Sequence, residues 1–174
     1  MKTDADTLAV WLWKNERAAL IRERGAQGIA SRLARELAAY AHVLDSVDSL
    51  DSLTQRHALL SGLVERQPLV VLMLRDLFDA LGCGCRTYPA PWSSSHKTER
   101  RTDCSTWNAA RLAHHLHVMA WNYGTFADAI GGDAARCNIL DDNLQSYPIV
   151  VVEVLERLSD AAADALQRGA DGKA

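Results

Sequence analysis

Between residues 27 and 47 the apolar side chains Ile29, Leu33, Leu37, Tyr40, Ala41 and Leu44 recur at spacings of three and four, while Arg32, Arg35 and Glu36 fall elsewhere on the turn. Only a helix, at 3.6 residues per turn, gathers such a set onto one face. No stretch of the chain sustains the apolar–polar alternation of a half-buried strand. The expected fold class is therefore all-α, a helical bundle. Thr3 with Asp6 suits the start of a first helix from Asp4 to Arg24, and Gly25 is a natural stop before the second. Trp11 and Trp13 point to different faces of that first helix, so one can enter the core and the other is left outside. Ser52 with Gln55 reads as a capping box opening a third helix over about 53–66, after a polar turn in 45–53. Pro68 suits the first position of a fourth, ending at Leu81, whose run Leu69 to Leu74 is apolar nearly all round and is the expected centre of the core.

Composition narrows the function classes. The 174 residues are 48% hydrophobic and carry a net charge of −3, which argues against overall disorder, a basic nucleic-acid coat and a polybasic membrane binder. The apolar run from Pro68 to Leu74 is too short for a bilayer span, so no membrane partner is expected. Two Asp residues precede the first apolar patch, unlike a signal peptide, and the four cysteines then read as reduced thiols of a cytoplasmic protein. The organisation reads as an N-terminal helical region over 1–81, a long loop over 82–104, a second helical region over 105–168 and a frayed tail over 169–174. Ser105 is the expected cap of a helix from Thr106 to about Trp121.

The loop is locally basic through Arg86, Lys97, Arg100 and Arg101, and it presents Trp92 beside two prolines. Those five residues form a candidate surface for a nucleic acid or a protein. The same loop holds Cys83, Cys85, His96 and Cys104. Three thiolates and an imidazole can make a tetrahedral zinc site, which would order a loop of this length. The alternative is small buried thiols and a solvated histidine, with no cofactor. His114, His115 and His117 share one helix, and Arg111 with His117 has the spacing of an Arg–His pair in HEPN-type ribonucleases. The more ordinary account is helix histidines satisfied by backbone or water. No G-x-S-x-G, phosphate loop or H-E-x-x-H occurs, so a non-enzymatic protein is expected.

Residues 119–158 carry Trp121-Asn122, Phe126-Ala127, Ile130-Gly131, Asp133, Cys137, Leu140, Asn143 and Tyr147-Pro148. This stretch resembles the helix-turn-helix of the Cro/C1-type (XRE-like) repressor family. The resemblance implies a C-terminal helix-turn-helix-like unit with Asp133 capping the recognition helix, and it implies DNA as a partner. Tyr123, Arg136 and Asn138 are the polar groups that could touch DNA in that arrangement. Positions that read bases in the family are occupied here by Ala134, Ala135 and Ile139, and Asp128, Asp133, Asp141 and Asp142 lie within or beside the unit. Alanine cannot hydrogen-bond a base, and acids oppose the phosphate attraction that dominates affinity. Two function classes follow. One is a small regulator binding DNA through residues 121–147, as a homodimer on paired half-sites. The other is a protein-binding regulator or inhibitor, of the kind mobile elements carry, contacting a protein or nucleoprotein directly. A zinc-stabilised adaptor is a third.

Overall fold

A computed structural model describes residues 4–81, 103–129 and 147–172, all in helices and their turns. Helix α1 spans Asp4–Val47 and is broken at Gly25, whose φ of 58° and ψ of −146° are not helical. That conformation is open to glycine and strained for residues with a Cβ. Residues 4–24 and 26–47 are thus two arms. The Nε of Arg32 pairs with Glu16 at 3.4 Å. Residues that far apart in a straight helix would be separated by about 24 Å, so the arms bend sharply towards each other. Gly28 sits inside the bend, where a Cβ would come within 3.1 Å of the Leu20 carbonyl oxygen.

A short turn leads to α2, Leu53–Leu81. Arg56 ties the turn by donating to the carbonyls of Leu50 at 2.6 Å and Asp48 at 3.2 Å. Ser52 Oγ accepts from the Gln55 amide at 3.4 Å, the cap implied by that sequence pair. Pro68 does not open a separate helix; it lies inside α2. Proline costs one backbone hydrogen bond there and crowds the Val64 carbonyl. Beside the proline, Gln67 Nε2 donates to the Leu63 carbonyl at 2.6 Å. Continuity is favoured by burial on both sides of the proline: Leu60 and Leu63 before it, Leu69, Val70, Met73, Leu74, Leu77 and Phe78 after it. Each large side chain buried contributes roughly 1.5–3 kcal/mol, which together exceeds the cost of a single proline at about 3 kcal/mol. By length and composition α2 could also cross a membrane, which the short run at 68–74 did not indicate.

Helix α3 spans Ala109–Ala129. Its cap is Asn108, whose Oδ1 accepts from the Arg111 amide at 2.9 Å. Ser105 instead closes a preceding turn, donating its amide to Asp103 Oδ1 at 3.0 Å. The helix also continues past Trp121, its expected end, to Ala129. After Tyr147 a short π-helical segment over Pro148–Val152 leads into α4, Glu153–Asp171. The final helix therefore extends through Gly169 to Asp171, three residues into the expected tail.

The second arm of α1 lies against α2 and α3, and α4 packs on α2. Ile29, Leu33, Leu37, Tyr40, Ala41 and Leu44 are all within 3% of full burial, as their spacing requires. They meet Leu112, Leu116, Met119 and Tyr123 of α3, and Val154 and Leu155 of α4 join the same core.

Candidate functional site

Of the residues expected to contact a nucleic acid or partner, Arg86, Trp92, Lys97, Arg100, Arg101, Arg136 and Asn138 lie outside the described residues, as do the candidate zinc ligands Cys83, Cys85 and His96. Tyr123 is described, and it is fully buried in the core. Its hydroxyl has no hydrogen-bond partner among the described residues, and burial raises its pKa well above the phenol range. The expectation that Tyr123 touches DNA is corrected on this ground: its position on α3 faces α1, inside the bundle. Cys104 is buried as well, and burial foremost, then the charge of Glu153, raises its thiol pKa. Among the described residues no group of three or more His, Cys, Asp or Glu is placed to hold a metal.

Two partly buried polar networks tie the helices together. In the first, the Glu36 carboxylate accepts from Arg32 Nη1 at 2.8 Å and Arg66 Nη2 at 2.7 Å. Burial alone would raise the Glu36 pKa; the hydrogen bonds and charges of Arg32 and Arg66 outweigh it and hold the group below its ordinary value. Tyr40 donates to the Arg66 carbonyl at 3.4 Å, and Tyr147 donates to Gln67 Oε1. Burial, then neighbouring charge, raises the pKa of both phenols far enough to keep them protonated. This network therefore gathers at Arg66-Gln67, directly before Pro68. Its groups are charge-compensated and hydrogen-bonded to one another, which suits a lock between helices better than proton transfer. In the second network, Asp76 of α2 accepts from Trp13 Nε1 at 2.7 Å and from Arg17 Nη1 at 2.9 Å. It fastens the first arm of α1 to the body.

The outward side of α3 differs in character. Arg111, His114, His117, Val118, Trp121 and Thr125 are exposed at positions three and four apart, forming one stripe. Trp121 is 70% exposed and Val118 44%. Arg111 stacks over the Trp107 ring at 4.8 Å, and the other face of this cluster is His115, edge-on to Trp107 at 5.3 Å. Burial foremost, then His114, lowers the His115 pKa. His117 Nε2 meets Asp45 at 2.9 Å on the bundle surface. Arg111 and His117, spaced as in the ribonuclease motif, are thus engaged with different neighbours. Arg157 of α4 donates to the carbonyls of Trp107 and Cys104, closing the turn before α3.

A second exposed apolar stripe lies on the first arm of α1. Leu8, Trp11 and Leu12 are 56%, 58% and 52% exposed. Trp13 on the other side is at 1%, the division of the two tryptophans that their spacing implied. The Leu8-Trp11-Leu12 spacing was visible in the sequence, but it reads equally as a core face. Which apolar face a helix buries depends on its neighbours, here Asp76 of α2.

Comparison with protein-family models, with curated proteins and with solved structures gives no match.

Proposed function

We propose that this chain is a small non-enzymatic regulatory protein that acts by direct contact with a protein partner, one whose face is acidic around an apolar recess. The observation that supports this reading is the outward stripe of α3. Trp121 stands in solvent with Val118 one turn away, flanked by Arg111, His114 and His117. Helix α3 itself carries no acidic residue before Asp128, and Asp45 of α1 meets the stripe at His117, 2.9 Å away. An exposed tryptophan with an arginine and two histidines around it has the make-up of a binding hot spot, in which one aromatic anchor fills a pocket and a polar rim sets the orientation.

A second reading keeps DNA as the partner, favoured by the resemblance of residues 119–158 to the Cro/C1-type unit. The two are separated with the full chain and its Trp121→Ser variant. The protein-partner reading expects a protein retained by the wild-type chain and released by the variant, with affinity for the purified partner falling tenfold or more. Fluorescence anisotropy against a pool of random duplexes, from low to physiological salt, tests the other. Tight binding that weakens steeply with salt and is indifferent to Trp121→Ser would overturn the protein-partner reading in favour of DNA.

A further inference from the structure

The first arm of α1 is apolar on two opposite sides. Ala9, Trp13 and Leu20 face the body, and Leu8, Trp11, Leu12, Asn15, Ala18, Ala19 and Arg22 form one exposed stripe at positions three, four and seven apart. The stripe is graded in size. Its large residues lie in its N-terminal half and its two alanines in the C-terminal half.

We infer that this stripe is covered by the same stripe of a second copy of the chain, the two arms running antiparallel about a two-fold axis at Asn15. In that register Trp11 lies over Ala19 of the other copy, Leu12 over Ala18, and Leu8 under the aliphatic stem of Arg22. Every large side chain meets a small or flexible one, in both directions, as an isologous interface requires. A parallel pairing would set Trp11 against Trp11 and alanine against alanine, leaving collisions and gaps. Asn15 falls on the axis. Its Nδ2 donates to the Trp11 carbonyl of its own helix at 2.8 Å, which restrains the amide on an exposed position. Two such amides facing each other across the axis can pair reciprocally, and a polar pair in an apolar seam sets its register. The arm is about 30 Å long, and the paired stripes would bury on the order of 1,000 Å², at the lower edge of specific interfaces. This surface is separate from the outward stripe of α3, so the inference stands or falls independently of the protein-partner reading.

Sedimentation velocity of the full chain between about 1 and 100 μM tests it. A concentration-dependent shift from 19.1 kDa to twice that mass is expected. Trp11→Glu, on an exposed position that leaves the helical signal intact, should stay monomeric throughout. Ala19→Trp should weaken association at least tenfold by setting bulk against bulk, whereas Trp121→Ser should leave it unchanged. A wild-type chain monomeric at 100 μM would assign the stripe to a different occupant and overturn the inference. So would a Trp11→Glu chain that associates like wild type, or an Ala19→Trp chain that does.

Discussion

The two arms of α1 share one continuous stretch of chain and differ in how they are held. In the second arm, residues 26–47, one apolar face is buried along its whole length between α2 and α3, with Leu33, Leu37 and Ala41 fully enclosed. In the first arm the apolar residues are divided between two faces. Its hold on the body includes Trp13, Arg17 and Asp76, and Glu16 on Arg32. The second arm is stabilised by area, which is distributed and tolerant of small losses. The first leans on a few directional contacts, each of which matters individually. The first arm shows how a bundle can keep a helix in place while one of its apolar faces stays exposed.

The sharpest way to break the comparison is in the second arm. Leu37→Ala removes a fully buried side chain and should cost about 2–5 kcal/mol, read as a lower midpoint in urea for the whole chain. If the arms unfold independently, the midpoint seen through Trp11 and Trp13 would fail to move with it. Asp76→Ala comes next. It strands the Trp13 indole N–H and frees Arg17, at an expected cost of about 1–3 kcal/mol. Unlike Leu37→Ala, it should increase proteolysis selectively within residues 4–24. Equal protection of both arms would show that the apolar contacts of Trp13 suffice without the hydrogen bonds. Gly25→Ala should cost about 1–2 kcal/mol through its positive φ alone, because nothing lies within 4 Å of the added methyl. A neutral result would mean that the bend can relax. Leu8→Ser, on the exposed stripe, should alter the stability of the monomer by no more than about 0.5 kcal/mol.

Acid should act on the body of the bundle, at the Glu36 link between the second arm and α2 and at His115 of α3. The pKa of Glu36 is lower in the folded chain than its ordinary value of 4.5. Its contribution is therefore full above that value and is lost as pH falls through the lower folded one. For His115 the folded pKa is depressed below 6.5, so the unfolded chain binds the proton more readily and stability falls as pH drops below about 6.5. Urea midpoints measured across pH 3–8 should show both slopes. Glu36→Gln should remove the lower one and His115→Gln the upper one. A slope that survives its variant would assign it to other groups.

The core was legible wherever the helical period was unbroken. Ile29 to Leu44 required no neighbour to be identified, because six apolar side chains on one helical face have only one economical arrangement in water. Gly25 marked the bend for an equally local reason. Pro68 misled because a local rule, that proline opens a helix, competes with burial on both sides of it, and burial is a property of the packed chain. Ser105 and Asn108 are both good capping residues, and only the path of the chain from Cys104 to Trp107 selects between them. Tyr123 looked like a contact residue because tyrosine serves both core and surface. Its place opposite α1 decided for the core.

For this protein, then, the order of amino acids by itself determined the all-helical class, the face of the second arm that is buried, and the break at Gly25. Each follows from periodicity or backbone sterics acting within a few residues. The tertiary structure alone decided that α2 runs through its proline, that Glu36 lies between Arg32 and Arg66, and that Asp76 claims Trp13 while Trp11 and Trp121 stay in solvent. Those outcomes depend on groups brought together from distant parts of the chain, and hydrogen bonds and burial act between such groups only once the helices have packed.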